Sequence, residues 1–175
     1  MSTYDIWPWV KFNEIIVGDA QQGVVFSLLF AFFVLLVTTQ NIIVSILSTY
    51  SISSIILQMM AMIHFNDWTF GIIQSICVIV FIGISVDYVA HIAHQFVHTT
   101  QRLRRERTKE AYRQMGQTIL GGALTSIFAG VFLVFCNVAI LSQFGILFIT
   151  TIIASFFTAV IFFPSILFIL GPDHK

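Results

Sequence analysis

The chain is 175 residues long, 58% hydrophobic and only 9% charged, with eight basic and eight acidic side chains and no formal net charge. Soluble domains carry about 25% charged residues, and the mean hydropathy here is +0.95, so the composition excludes an ordinary soluble domain and specifies an integral membrane protein. The neutral balance also lacks the basic excess that a nucleic-acid binder needs.

The first twenty residues have no basic segment ahead of a short apolar core and no small-residue cleavage site, so they are not a signal peptide. They read as an extracytosolic interfacial lead-in (1–20), with Trp7 and Trp9 suited to the headgroup level. From there to residue 175 the sequence predicts a five-helix transmembrane domain. About 20 apolar residues cross a hydrocarbon core about 30 Å thick, and five stretches qualify: about 23–39, 42–63, 69–96, 119–141 and 144–170. They are helices because backbone groups cannot go unpaired in lipid, and the period-2 alternation of a membrane barrel is absent.

Between the third and fourth spans lies a basic connection, 97–118, in which Arg102, Arg104, Arg105, Arg107, Lys109 and Arg113 face only Glu106 and Glu110. The excess places it in the cytosol. Leu103, Ala111 and Met115 supply one apolar stripe, so the segment is expected to be a solvated amphipathic connecting helix rather than a dedicated headgroup site. Threading the spans from this anchor puts the amino terminus outside and the GPDHK tail in the cytosol, in the plasma membrane or an endomembrane. Pro164 lacks a backbone donor and is expected to bend the fifth span near its cytosolic end.

The third span carries the chemistry. Gly83, Asp87, His91, His94 and His98 recur at spacings of four, four, three and four, which puts them on one helix face. A charged side chain at a bilayer centre costs at least about 2.5–3.5 kcal/mol, and such groups usually face a bundle interior or a watery cavity. Asp87 and His91 are one turn apart, so the carboxylate can stabilise an imidazolium or be lent to a sodium ion. The alternative is a mutually satisfied pair that only fixes packing. His94 lies nearer the cytosolic boundary and His98 beyond it. Three histidines at this spacing, with no HExxH pattern and no cysteine partner, are a weak metal signal, and no metal is assigned.

In the fourth span, GGALTSIFAG sets small residues at 121, 125 and 129 and again at 122, 126 and 130. These rows let another helix approach closely, which gives Gly121, Gly122, Ser126 and Gly130, with Gly83, a packing role. The hydroxyls of Thr125 and Ser126 either bond their own preceding turn or line the polar site. Cys77 and Cys136 stand alone in apolar runs and read as buried thiols. No nucleophile–base pair or phosphate loop is present, so the expectation is a non-enzyme with no catalytic residue and no cofactor.

The order of FNEIIVGDAQQG, MAMIHFNDWTFGIIQSICVIVFIGISVDYVAHIAHQF, RxxRxxEAYRQMG, GGALTSIFAG and FFPSILFILGP resembles the carboxy-terminal membrane half of the Patched, Dispatched and Niemann-Pick type C branch of the resistance-nodulation-division superfamily. The resemblance covers almost the whole chain. It implies that GISVDYVAHIAH matches the tenth transmembrane helix of that family, where an acid and a following histidine are associated with cation-coupled transport, and so carries Asp87 and His91 over. It also implies that Thr125 matches a hydroxyl position of the eleventh helix facing the same site. The first-half counterpart usually has two adjacent acids, and the single Asp87 favours the second half.

Members of the family have two six-helix repeats with large extracytosolic domains, whereas five spans amount to half a transporter. The resemblance therefore implies, as partners, the bilayer, a missing amino-terminal half or another membrane subunit, and a sterol or other lipid. Its leading implication is proton- or sodium-coupled movement of that lipid. The alternative is a non-transporting structural or lipid-sensing subunit of a larger membrane complex.

Overall fold

The structure is a computed structural model describing residues 3–66, 68, 71–101 and 103–172, without the side chains of 3–10, 12–14, 16, 17, 20, 72, 73 and 139. The readings of Trp7, Trp9 and Arg102 fall outside what it describes. Among the described residues the secondary structure is wholly helical: α1 (Thr3–Thr39), α2 (Ile42–Phe65), α3 (Ile72–His98), α4 (Arg104–Val134), α5 (Ala139–Phe157), a π turn (Thr158–Phe162) and α6 (Phe163–Leu170). Five segments of the described residues are long and apolar enough to cross a membrane: Gln21–Thr39, Ile42–Phe65, Gln74–His98, Arg104–Val134 and Ile140–Leu170. The chain is an all-α, multi-pass membrane protein.

Two joins differ from the sequence reading. The lead-in and the first span form one helix, and so do the basic connection and the fourth span. Arg, Glu, Lys, Gln and Ala are strong helix formers, and the lone Gly116 weakens a helix by only about 1 kcal/mol. The connecting helix is thus the opening turns of α4. The turn between the fourth and fifth spans falls at Phe135–Val138, several residues earlier than hydropathy suggests. There the Ser142 hydroxyl donates to the Val134 carbonyl at 3.2 Å, satisfying a terminal acceptor of α4.

Short links make consecutive spans antiparallel. The Asn41 side chain starts α2 by accepting from the backbone N–H of Ile43 and Val44, and Gln40 makes the turn at φ 49. Helix α3 is the centre, touching α1, α2, α4 and α5. One core cluster joins Leu35, Ile52, Val89, Ile92, Phe96, Ile119, Phe163 and Leu167, and a second joins Met59, Val78, Phe81, Ile82 and Leu147. Helix α4 meets α5 closely because a Cβ on Gly145 would sit 2.8 Å from the Val134 nitrogen. Buried hydroxyls run through the bundle; those of Ser48 and Ser51 donate to the carbonyls of Val44 and Leu47. Those of Ser85, Thr151 and Ser155 have no partner among the described residues.

The expected bend takes a specific form. Pro164 has no N–H, and its ring crowds the carbonyl four residues earlier. A π turn immediately precedes it, with the Phe163 N–H reaching back to the Thr158 carbonyl.

The basic end of the bundle is fastened by Arg107. Its side chain is buried, its Nε donates to the Phe96 carbonyl at 3.1 Å, and its Nη2 donates to Val97 at 3.0 Å. Its Nη1 donates to the Pro172 carbonyl at 3.1 Å, and the guanidinium lies 4.6 Å from the centroid of the Phe96 ring. The carbonyls that end α3 and follow α6 carry partial negative charge, and one arginine satisfies both ends at once. Arg104 adds a hydrogen bond to the Ile169 carbonyl at 2.9 Å.

Arg107→Ala is expected to destabilise the bundle by on the order of 2–4 kcal/mol, because it orphans carbonyls bonded to a charged donor. Thermal unfolding in detergent, with the exposed Arg113→Ala as the comparison, measures this; equal midpoints for the two variants would remove the fastening role.

Candidate functional site

The polar stripe of α3 points away from the bundle. Gly83, Asp87, His91, His94 and His98 are all exposed, while Val89, Ile92, Ala93 and Phe96 on the other side are fully buried. A Cβ added to Gly83 would meet nothing within 4 Å. Among the described residues the Asp87 carboxylate has no hydrogen-bond or ion-pair partner, His91 included, so the mutually satisfied pair is not what this conformation contains. The rings of His94 and His98 are 4.3 Å apart between centroids. Among the described residues no group of three His, Cys, Asp or Glu side chains could hold a metal ion.

Helix α4 continues the same face. Tyr88 packs against Gly122, whose added Cβ would sit 3.9 Å from the Tyr88 ring. In an antiparallel pair, one residue back from that contact on each helix turns to the same side, so Asp87 and Gly121 look out together. Gly121 has nothing within 4 Å, and Thr125, one turn further, is exposed. The Thr125 hydroxyl donates to the carbonyls of Gly121 at 3.1 Å and Gly122 at 2.9 Å, which leaves its oxygen lone pairs free to accept.

The two small-residue rows therefore divide. Row 122, 126, 130 faces this chain's own helices: Gly122 meets Tyr88, Ser126 is half-buried, and a Cβ on buried Gly130 would lie 2.5 Å from Ile149 Cγ1 and 3.0 Å from Phe148 Cδ1. Row 121, 125, 129 is exposed. Towards the basic end of the seam, the Gln95 side-chain amide donates to Gln114, which donates to Glu110 at 2.7 Å. The sequence reading missed this chain; its signal was that Gln95 and Gln114 stand where α3 and α4 face each other.

Asp87, His91, His94, Thr125, Gly83 and Gly121 thus share one exposed strip with small residues beside an acid. Exposed apolar side chains border it, Val80 and Leu124 among them. Chemically it offers a carboxylate, two imidazoles and a hydroxyl acceptor to whatever packs there, the donor types that bind a proton or a sodium ion.

Comparison with known proteins gives one family and a consistent set of relatives. Residues 10–174 match the model of the MMPL family. Protein dispatched homolog 3 of Mus musculus is 29% identical over 154 residues, which is 82% of this chain and 11% of that protein. The NPC intracellular cholesterol transporter 1 homolog 1b of Drosophila melanogaster is 27% identical over 161 residues, 90% of this chain and 13% of that protein. The Niemann-Pick type C1-related protein of Toxoplasma gondii is 26% identical over 141 residues, 75% of this chain and 12% of its own. The chain spans a small fraction of each relative's length.

The division of the glycine rows gives contrasting expectations. Gly130→Leu should destabilise the isolated chain by roughly 1–3 kcal/mol through overpacking, whereas Gly121→Leu should leave its thermal midpoint unchanged. Equal losses in both variants would show that row 121, 125, 129 is also packed within the chain.

Proposed function

The chain belongs to the MMPL family, and on that premise we propose that it is the second membrane half of a Patched-like transporter for a sterol or other hydrophobic lipid. Protons or sodium at Asp87 and His91 drive the movement, with Thr125 and His94 beside them. The observation that supports this reading most is the polar strip of α3 and α4: an acid in a membrane span, without a partner among the described residues and flanked by open glycines, is suited to a second helical surface. In secondary transporters ion and substrate sites form between repeats near the midplane. The partner is then the amino-terminal half, and its polar groups complete the ion site.

A cation bound at the interface neutralises Asp87 and lowers the cost of bringing the two halves together. Its release restores the charge and favours separation. A coupling mechanism needs such a switch, because binding shifts a conformational equilibrium only when affinity differs between the two states. In this reading the amino terminus is extracytosolic and the carboxy terminus cytosolic, since the basic end holds the start of α4 and the ends of α3 and α6.

One relative is named an NPC intracellular cholesterol transporter 1 homolog, which supports a sterol-like cargo. An enzyme is disfavoured because the strip presents no nucleophile with an adjacent base.

The test is Asp87→Asn in the assembled transporter, assayed by movement of a labelled sterol in vesicles with an imposed proton or sodium gradient. Gradient-dependent movement should vanish with expression and insertion intact, and His91→Gln should shift the pH profile of what it retains. Unchanged gradient dependence in Asp87→Asn removes the coupling role.

A further inference from the structure

On the opposite side of α4 lies a second surface that the polar strip does not use. A groove of about 620 Å³ runs between the first turns of α4 and the π turn and α6. At ~100° per residue, Thr125 is roughly 160° around α4 from Lys109, which lines this groove. A partner covering the strip therefore leaves the groove free.

Its chemistry is graded along the membrane normal. At the basic end stand Arg105 and Lys109 with the Tyr112 ring, and the floor is built from Ile161, Pro164 and Phe168; among the described residues no acidic side chain lines it. Arg105 lies 5.3 Å from the Phe168 ring centroid, held at the groove mouth rather than extended into water. Among the described residues neither Arg105 nor Lys109 pairs with a carboxylate, and Glu110 is taken by Gln114. The floor continues back to Val160, ten residues before α6 ends, or about 15 Å into the hydrocarbon. The π turn contributes Val160 and Ile161 to that floor. Its apolar lining opens away from the bundle, with Ile161 58% and Ile169 66% exposed.

We propose that this α4/α6 groove holds an anionic phospholipid of the adjacent leaflet, its phosphate and acidic headgroup on Arg105 and Lys109 and an acyl chain along Ile161, Pro164 and Phe168. Two unpaired cations above an apolar trough match a molecule with negative charge at one end and hydrocarbon at the other. The groove volume lies within the usual range of small-ligand sites. Phosphatidylcholine, whose quaternary ammonium cancels its phosphate, offers the two basic side chains no net negative charge and is disfavoured. Each juxtamembrane cation favours anionic lipid, and the groove adds position to that attraction. The inference needs no transport step, so it stands or falls separately from ion coupling at Asp87.

Spin-labelled phosphatidylserine and spin-labelled phosphatidylcholine, each in trace amount in phosphatidylcholine bilayers containing the full chain, provide the test through the immobilised fraction seen by electron paramagnetic resonance. The chain should hold the serine lipid on the order of tenfold more strongly. Arg105→Gln with Lys109→Gln should abolish the preference, and Arg113→Gln, outside the groove, should keep it. Ser165→Trp, which fills the trough and retains both charges, should release the lipid. Equal retention of the two lipids by the unaltered chain would overturn the proposal. So would a preference that survives Ser165→Trp and falls as much with Arg113→Gln as with the double variant, which is diffuse charge attraction.

Discussion

Hydrocarbon offers no hydrogen bonds, and every polar group placed in it must find its partners within protein. The backbone of this chain meets that demand by being helical wherever it spans, and most hydroxyls meet it by bonding to the preceding turn, as Ser48, Ser51 and Thr125 do. Asp87 does not meet it. A carboxylate in a span costs at least about 2.5–3.5 kcal/mol, and none of the described neighbours compensates it. The organisation of the rest of the bundle follows from how that one group is presented.

The bundle is built to hold the strip rigid and leave it open. Helix α3 sits at the centre, so its orientation is fixed by four neighbours, and its buried side is filled by Val89, Ile92 and Phe96. The glycines are allocated to match. Gly130 and Gly145 bring α4 and α5 together within the chain, and Gly83 and Gly121 keep the outward strip free of bulk beside Asp87. At the basic end Arg107 ties the last turn of α3 to the segment after α6, which limits how far the central helix can slide. Basic side chains serve three ends there: Arg107 fixes helix termini, Arg105 lies over Phe168, and Lys109 stands at the mouth of the groove. A membrane-surface charge cluster is therefore not a single solvated face.

Much of this architecture could be read from sequence because hydropathy and helical period act over short distances. Twenty-residue apolar runs gave the spans, and four-residue spacing gave the common face of Gly83, Asp87 and His91. What escaped depends on contacts between distant segments. Arg107 belongs to the stripe Leu103, Ala111, Met115, and its position within an apolar row was the clue that it is buried; its acceptors, Phe96, Val97 and Pro172, come together only in the bundle. Both glycine rows were visible, but which one serves this chain depends on α5. Pro164 announced a bend, yet the π turn that accommodates it arises from the backbone of Thr158–Phe162, residues with no distinguishing composition. The early turn at Phe135–Val138 was hidden because its residues are nearly as apolar as the spans it separates.

The central claim is that protein or enclosed water, not acyl chain, covers the Asp87 strip in the assembled molecule. Nitroxide labels at positions 83 and 57 of the assembled protein test it most directly, through collision rates with oxygen, which partitions into lipid, and with a water-soluble nickel complex. Leu57, 69% exposed on α2 away from the strip, supplies the lipid-facing reference. The label at position 83 should show oxygen collisions well below the reference. Oxygen collisions equal to those at position 57, with nickel excluded at both, would place the strip against hydrocarbon and contradict the interface.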